Sequence, residues 1–287
     1  MTAPRTLLTA WNVQAKKQLG QNFLNDPGVA AAIVDLAKLS PDDVVLEIGP
    51  GLGAITLPAS RLARRVIAVD KDDRIIELLQ PELAAAGALN VDVRQGDILK
   101  TDIPAISREA GASLVVLGNL PYNISSQVVV QLIQARQQVR RAVLMLQKEM
   151  AERITAPPGS RTYGRLSVML GYCARTRIGL SVPASRFFPA PKVDSTVLTI
   201  TFVDPPPFPA QDEALLFRVV RAAFGKRRKT LRNALSQSDL ALDPAACEKI
   251  LVHCDIDPME RAEQLPVSAF VRLANEIGKQ DSGVSVQ

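Results

Sequence analysis

The sequence has few of the residues that cross-link a chain or carry acid–base catalysis. Its 287 residues include three cysteines, one histidine, three tyrosines and one tryptophan. Cys173, Cys247 and Cys254 form neither a CxxC motif nor an even set, which excludes a disulfide framework and is typical of the reducing cytoplasm. The single histidine leaves no apparent nucleophile–base pair.

Long hydrophobic runs are also missing. No apolar run approaches the roughly 18 residues of a membrane span, and the first residues lack the apolar stretch of a signal peptide. Hydrophobic residues make up 47% and charged residues 22% of the chain, which excludes disordered and collagen-like classes. We therefore expect a soluble cytoplasmic protein without membrane contact, with one large domain or a domain plus a smaller appendage.

The charge is uneven along the chain, although its total is only +5. Residues 26–132 carry 9 basic and 14 acidic side chains, whereas residues 133–193 carry 11 basic and 2 acidic ones. A third stretch, Ala214–Ser238, has seven bases and no acid: Arg218, Arg221, Lys226, Arg227, Arg228, Lys229 and Arg232. Two concentrated basic stretches indicate a polyanionic partner such as nucleic acid.

Short apolar runs alternate with segments of helical periodicity in the first two thirds of the chain. Ile55–Leu62 and Ile75–Ala86 have helical spacing. The predicted strands are Val44–Ile48, Arg65–Val69, Val91–Val93, Leu114–Leu117, Ala142–Leu146, Ser167–Tyr172 and Val197–Phe202. This alternation predicts an α/β fold, a parallel sheet with helices on both faces.

A proline-rich segment, Asp204–Pro209, interrupts every pattern and predicts a domain boundary. The helices predicted after it are Glu213–Phe224, Lys229–Leu235, Pro244–Cys254 and Val267–Gly278. We therefore expect three parts: a flexible basic N-terminal arm over 1–25, an α/β domain over 26–204 and a helical domain over 205–287.

A glycine-rich turn, Leu46–Ala54, follows a predicted strand and precedes a predicted helix. Gly49 and Gly51 let the backbone approach a ligand that a Cβ would exclude. Asp70 and Asp97 end the next two strands at the same edge, where an acid can accept hydrogen bonds from ribose hydroxyls. This pattern predicts a nucleotide-type cofactor site but does not by itself separate a nicotinamide cofactor from S-adenosylmethionine.

A second turn, Gly118–Asn123, follows the fourth predicted strand. Asn119 offers an amide oxygen, Pro121 orients the Leu120 carbonyl, and Tyr122 offers a ring face. Two acceptors and a stacking surface suit a planar base with an amino group, whose lone pair they can direct at a methyl donor. Methyl transfer from a sulfonium needs no titrating residue, in agreement with the scarcity of histidine.

With these motifs in this order, the sequence resembles the ribosomal RNA adenine dimethyltransferase family over about residues 17–272, most closely its bacterial small-subunit type. The motifs are Gln21–Asp26, Glu47–Gly51, Gly118–Ser125, Leu146–Glu149, Tyr163–Ser167, Pro191–Ser195 and Phe224–Asn233. The resemblance implies a Rossmann-like S-adenosylmethionine-dependent methyltransferase sheet with a small C-terminal α-helical domain.

The resemblance also implies an activity and a set of site residues. Such enzymes dimethylate two adjacent adenines in the 3′-terminal hairpin loop of small-subunit RNA. Asn119 through Tyr122 would hold the target base, with Phe187 covering its other face. The residues expected at S-adenosylmethionine are Asn22, Leu24, Gly49, Gly51, Asp70, Asp97 and Asn119.

Two positions depart from what the family leads us to expect. The ribose-contacting acid is usually Glu, and Asp70 is one methylene shorter, which implies a small strand shift or an interposed water. Phe188 is a second aromatic beside Phe187, and the sequence leaves open which ring faces the base.

The expected partner is small-subunit ribosomal RNA within a pre-30S particle, bound by a monomer. Residues 133–193 would flank the pocket with positive charge. Arg227, Arg228, Lys229 and Arg232 would grip the RNA backbone, with Arg228 and Arg232 one helical turn apart.

Three other functions remain alternatives. They are an antibiotic-resistance methylase of large-subunit RNA, a non-catalytic ribosome-assembly factor, and a nicotinamide oxidoreductase. The oxidoreductase is disfavoured because no acid or base for hydride transfer is evident. Cys247, His253 and Cys254 lack the spacing of a metal site, so we expect buried structural residues and no metal.

Overall fold

The computed structural model describes residues 2–226 and 228–283. The chain divides into two compact units. The first comprises Met1–Ala151 and Thr176–Phe202, and the second comprises Glu152–Arg175 and Val203–Gln287. The second unit therefore begins its C-terminal part next to the expected boundary, but it also includes 152–175, a segment that we expected in the α/β domain.

The strands form one large sheet and one small one. They are β1 Phe23–Leu24, β2 Val44–Ile48, β3 Arg65–Asp70, β4 Val91–Gln95, β5 Leu114–Asn119, β6 Val139–Gln147, β7 Ala174–Val182, β8 Phe187–Phe188 and β9 Ser195–Phe202. The large sheet has the order β4-β3-β2-β5-β6-β9-β7, and β1 pairs with β8. Strands β2 to β6 are parallel, whereas β9 runs antiparallel to β6.

Helices connect and flank these strands. They are α1 Pro4–Ala10, α2 Pro27–Ala37, α3 Thr56–Ser60, α4 Asp73–Ala85, α5 Ile103–Ala110, α6 Ser125–Gln134, α7 Lys148–Thr155, α8 Arg165–Cys173, α9 Glu213–Phe224, α10 Leu231–Ser236, α11 Pro244–His253 and α12 Val267–Gly283. Several begin at an aspartate that caps the first turn: Asp26 accepts a hydrogen bond from Val29, Asp102 from Ala105 and Asp212 from Leu215.

The core of the first unit lies around the central strands. Every residue of β2 is buried, and β5 is buried from Leu114 to Gly118, as expected for parallel strands covered on both faces. One cluster joins Val45, Val115 and Val143 to Ile33 of α2. The α/β fold class predicted from sequence is confirmed.

The strand order reverses between β2 and β5, and this reversal positions a ligand site. The strands that follow β2 in sequence, β3 and β4, lie on one side of it, whereas β5 and β6 lie on the other side. A crevice therefore opens between the carboxyl ends of β2 and β5. Ile48 pairs with Gly118 there. A Cβ on Gly118 would lie 3.0 Å from the Ile48 carbonyl oxygen, so glycine allows the two strand ends to approach.

One predicted strand is wrong. Ser167–Tyr172 lies inside helix α8, which Ser167 helps to begin because its Oγ accepts a hydrogen bond from the Gly164 amide at 3.0 Å. Val168, Met169 and Leu170 are all buried. A short apolar run of this kind suits a buried helix as well as a buried strand, so periodicity alone does not separate them. Strand β7 was not predicted.

The first residues of the chain pack into the first unit as part of it. Leu7 and Leu8 of α1 are buried in a cluster with Phe23, Leu52 and Ile75. We expected a flexible arm here; in the structure its apolar side chains cover part of the glycine-rich turn.

The second unit is helical apart from the start of β7. The Tyr163 hydroxyl donates to the Leu265 carbonyl at 3.0 Å, and its ring packs edge-on against Phe224, which stacks on Phe270. The four helices predicted after residue 204 are observed, but α10 begins at Leu231 rather than at Lys229. Among the described residues of the whole chain, no helix is both long and apolar enough to span a bilayer.

Candidate active site

A cavity opens at the carboxyl edge of the sheet, where β2 and β5 diverge. Its walls are residues 18–24, 47–52, 69–71, 96–99 and 119–124, together with Ala54 and Ile55. The cavity therefore brings together all seven residues predicted to contact a cofactor. It also includes Leu120, Pro121 and Tyr122 of the second turn.

The glycine-rich turn forms one side of this cavity. Gly49 and Gly51 have φ angles of +68° and +54°, in the left-handed region that side chains disfavour. The Gly49 amide donates to the Val69 carbonyl at 2.9 Å, which ties the turn to β3. A Cβ on Gly51 would lie 3.1 Å from the ring of Phe23. The two glycines thus keep the backbone exposed to the cavity.

Two carboxylates stand at the ends of β3 and β4. Asp70 accepts a hydrogen bond from the Asp72 amide at 2.9 Å, and its burial raises its pKa. Asp97 accepts from the Lys71 ammonium at 2.8 Å, and this hydrogen bond lowers the pKa of Asp97. Asp70 pairs with Gln95 in the continuous β3–β4 register, and the strand shift or interposed water expected for the shorter side chain stays a prediction.

Glu47 is a cavity residue that was not singled out from the sequence. It is 1% exposed, and its Oε2 has no hydrogen-bond partner among the described residues. Burial and the nearby Asp70 charge raise the pKa of Glu47 to about 7. The signal available in the sequence was a glutamate inside the apolar run Val44–Ile48, where an acid is costly unless it has a partner.

Asn119, the last residue of β5, is oriented by the segment before β1. Its Nδ2 donates to the Asn22 carbonyl oxygen at 2.9 Å. The Asn22 side chain in turn donates to the Gly20 carbonyl at 3.0 Å. Because the Asn119 nitrogen is held on the Asn22 side, its amide oxygen is directed away from that carbonyl and is available as an acceptor.

The following residues are held just as firmly. The Leu120 amide donates to the Met145 carbonyl at 3.1 Å, and the Pro121 carbonyl accepts from the Ser125 hydroxyl at 2.9 Å. The Tyr122 hydroxyl is hydrogen-bonded to Ser195 Oγ at 3.0 Å. Burial raises the pKa of the half-buried Tyr122, so its hydroxyl stays protonated at neutral pH. The ring is thus anchored at its hydroxyl end.

Comparison with known proteins identifies the family to which these features belong. The family described as "Ribosomal RNA adenine dimethylase" matches residues 12–279.

The chain belongs to the ribosomal RNA adenine dimethylase family.

Curated relatives are similar to this chain over nearly its full length. The chain is 48% identical over 277 residues to "Ribosomal RNA small subunit methyltransferase A" of Desulforapulum autotrophicum, a match that covers 96% of this chain and 97% of that one. It is 42% identical over 271 residues to the protein of the same name from Magnetococcus marinus, covering 94% and 95%.

Two solved structures are similar to the chain. A dimethyladenosine transferase from Plasmodium falciparum is 29% identical, with a TM-score of 0.79 and coverage of 90% of this chain and 98% of that one. The 23S rRNA methyltransferase ErmE is 25% identical, with a TM-score of 0.68 and coverage of 90% and 100%. The family resemblance predicted from sequence is confirmed.

Dimethylases of this family use S-adenosylmethionine as methyl donor, and the cavity fits that cation. Glu47, Asp70 and Asp97 supply three carboxyl groups, and the basic side chain among the cavity walls, Lys71, is paired with Asp97. The exposed backbone at Gly49 suits close approach of a ligand. A nicotinamide cofactor would bring phosphates, which this acidic wall disfavours.

The structure does not bring Phe187 to the cavity. Its side chain is 5% exposed and packs in the core with Leu24 and Val182. Phe188 packs on the other side of the β1–β8 pair, against the cluster that contains Phe23. Neighbouring residues of a strand face opposite sides, so one ring enters each cluster. Neither ring is a cavity wall, and the role of Phe187 in covering a base stays a prediction for the RNA-bound enzyme.

The residues predicted to bind the RNA backbone differ in their exposure and in their ion pairing. Arg227 lies outside the described residues. Arg228 and Lys229 are exposed, whereas Arg232 forms an ion pair with Glu248 at 2.9 Å. Because α10 begins at Leu231, Arg228 precedes the helix, and the prediction that it shares a helical face with Arg232 is wrong.

The cysteine–histidine cluster has no metal-site geometry. Among the residues described, no group of three or more His, Cys, Asp or Glu is placed to hold a metal ion. Cys247 and Cys254 are buried as expected. His253 is not: its side chain is 69% exposed, 3.8 Å from Glu276. It lies at the C-terminal end of α11, where an exposed polar residue is normal.

Proposed function

We propose that the protein transfers methyl groups from S-adenosylmethionine to N6 of two adjacent adenines in the 3′-terminal hairpin loop of small-subunit ribosomal RNA. The observation that carries this proposal is the hydrogen bond from Asn119 to Asn22, which presents an amide oxygen at the edge of an acid-walled cavity. The names of the curated relatives support small-subunit RNA as the substrate.

The chain's own residues account for recognition of an adenine amino group. The N6 amino group has two hydrogens, and the Asn119 amide oxygen and the Leu120 carbonyl are two acceptors on one turn. Holding both hydrogens favours a pyramidal nitrogen whose lone pair can attack a methyl group. Tyr122, anchored by Ser195, offers a ring on which a base taken out of its stack can lie.

The cofactor, when bound, supplies a methyl group activated by a positively charged sulfur. The protein residues position the amino group, exclude water and stabilise positive charge with Glu47, Asp70 and Asp97. The product ammonium loses its proton readily, so no histidine or other general base is required in the turn. The same turn would act a second time on the same nitrogen, whose one remaining hydrogen one of the two acceptors would hold, and again on the next adenine.

We further infer that the enzyme acts as a monomer on RNA within a pre-30S particle in the cytoplasm. The exposed Arg228 and Lys229, together with Lys226, would neutralise backbone phosphates. Among the residues that the structure describes, these three side chains form no ion pair, so their charges are available to a polyanion at lower cost than that of Arg232, which is paired with Glu248.

Methylation of large-subunit RNA is the second candidate because of the similarity to ErmE. The 48% and 42% identities to relatives named as small-subunit methyltransferases favour the first. The test is to incubate the protein and S-adenosylmethionine with small and large subunits that lack the modification and to map methylated adenines by mass. We expect two adjacent dimethyladenines in the small-subunit hairpin loop. Modification of large-subunit RNA alone would overturn the proposal.

A further inference from the structure

Asp72 collects hydrogen bonds from two separate parts of the first unit. Its side chain is fully buried, with 0% exposure. Its carboxylate accepts from Lys16 Nζ at 3.2 Å, from Gln21 Nε2 at 2.9 Å, and from Arg74 at 3.0 and 2.7 Å. The hydrogen bonds from Arg74 hold the pKa of this carboxyl far below its usual range. Asp72 is therefore a permanent anion where β3 leads into α4.

The backbone of the same residue holds a cavity acid. The Asp72 amide donates to Asp70 Oδ1 at 2.9 Å. Asp72 itself does not line the cavity, whereas Asp70 and Gln21 do. One residue thus joins the acid at the end of β3 to Gln21 in another segment of the cavity wall.

Gln21 extends this connection along the chain. Its Oε1 accepts from the Lys16 amide at 2.7 Å while its Nε2 donates to Asp72, so both ends of the side-chain amide are used. The next residue, Asn22, accepts the hydrogen bond from Asn119 on its carbonyl. A shift of Gln21 would therefore move the acceptor that orients Asn119.

Apolar contacts attach the N-terminal region independently of Asp72. Leu7 and Leu8 pack with Leu52, Ile75 and Leu78. These contacts hold α1 in place, but residues 16–22 are mostly polar and depend on hydrogen bonds for their path. Loss of the Asp72 charge is expected to alter the cavity wall while leaving the fold intact.

We propose that Asp72 is a positioning residue that holds residues 16–22 as a wall of the cofactor cavity and, through Gln21 and Asn22, sets the orientation of the Asn119 amide. The inference rests on the proposed function in that it takes the cavity to be the S-adenosylmethionine site. It adds a residue that touches neither cofactor nor base.

The test compares Asp72→Asn with Gln21→Ala, their combination and the control Asp73→Asn, whose side chain is exposed on the neighbouring residue. S-adenosylmethionine affinity is measured by calorimetry without RNA, and kcat and KM are measured with small subunits. We expect Asp72→Asn and Gln21→Ala each to weaken cofactor affinity about tenfold, as for a lost hydrogen bond to a charged group. Because Asp72 and Gln21 act through the hydrogen bond that joins them, the double variant should lose little more cofactor affinity than either single variant.

Cofactor binding and activity are measured separately so that two failures can be told apart. Wild-type protein that binds S-adenosylmethionine but leaves small subunits unmethylated would overturn the proposed substrate only. Wild-type affinity in Asp72→Asn and Gln21→Ala would overturn the positioning role only. If Asp72→Asn fails to fold, Gln21→Ala decides: reduced affinity at an unchanged melting temperature supports the role, and unchanged affinity overturns it. Additive losses in the double variant would also overturn the link.

Discussion

The side-chain nitrogen of Asn119 lies 2.9 Å from the carbonyl oxygen of Asn22, although 97 residues separate them in sequence. This hydrogen bond joins the end of β5 to the segment that precedes β1. It also distinguishes the two ends of the Asn119 amide, because only the nitrogen can donate to a carbonyl. The orientation of the proposed base-binding acceptor is therefore a property of the folded unit.

Replacing Asn119 tests this acceptor directly. Asn119→Ala should lower kcat at least about 100-fold, the cost of losing an oriented polar contact in a transition state, while S-adenosylmethionine binding stays largely intact. Asn119→Asp should also be inactive, because a carboxylate would face the Asn22 carbonyl without a hydrogen to donate. Full activity of Asn119→Ala on small subunits would contradict the proposed chemistry.

Tyr122 should contribute its ring more than its hydroxyl. Tyr122→Phe keeps the stacking face and loses only the contact with Ser195, so we expect kcat to fall less than about tenfold. Tyr122→Ala removes a stacking contact of about 1–3 kcal/mol and should lower kcat much further, with RNA affinity less affected. Ser195→Ala is the matched control and should resemble Tyr122→Phe. Equal activity of the Phe and Ala variants would contradict a stacking role.

The role of Gly49 in cofactor binding can be tested by comparison with Gly111, a second glycine whose backbone φ is positive. Gly49 and Gly111 both have positive φ, at +68° and +60°, and a Cβ at either would meet no atom within 4 Å. Alanine at each should therefore cost a similar conformational strain of about 1–2 kcal/mol. Only Gly49→Ala should also weaken S-adenosylmethionine binding in calorimetry, because Gly111 ends α5 and is not a wall of the cavity. Equal cofactor affinity in both variants would argue against close ligand approach at Gly49.

Glu47 should make stability depend on pH. Its pKa of about 7 in the folded protein lies above the ordinary value of 4.5, so the folded state binds more protons than the unfolded state between these values. The free energy of unfolding should therefore fall as pH rises through this window, by about 1.4 kcal/mol per unit of pKa difference. Glu47→Gln should remove this dependence and gain stability relative to wild type between pH 5 and pH 8. Chemical denaturation at several pH values measures the free energy of unfolding of both proteins. Parallel plots of this free energy against pH would exclude a raised pKa of Glu47.

The basic residues 227–229 should govern RNA affinity rather than chemistry. Neutralising Arg227, Arg228 and Lys229 should weaken RNA binding and reduce the slope of log K against log salt by about 2, at roughly 0.7 per phosphate contact. Methyl transfer at saturating RNA should change little. Arg221→Gln is the control, since Arg221 is ion-paired with Asp239. An unchanged slope in the triple variant would refute a phosphate-binding role.

Local patterns were sufficient for much of the fold and for the cavity walls. Alternating strands and helices indicated the parallel sheet, and the glycines, acids and second turn lie at its carboxyl edge because each directly ends or follows a strand. Family resemblance added Asn22 and Leu24. The sequence predicted less well where an apolar run suits both a buried strand and a buried helix, as for Ser167–Tyr172. It also placed the start of α10 at Lys229, two residues before the observed start at Leu231.

The sequence by itself determined the α/β class, the family and most of the residues around the cavity, because strand and helix periodicity and short motifs are encoded by neighbouring residues. Only the tertiary structure decided which acceptor orients Asn119, that Tyr122 is anchored by Ser195, that Phe187 packs in the core, and that Asp72 binds Lys16 and Gln21. These contacts join segments 51 to 163 residues apart or depend on which face of a strand is covered. The order of the strands in the sheet brings such segments together, and that order is set by packing of the whole unit.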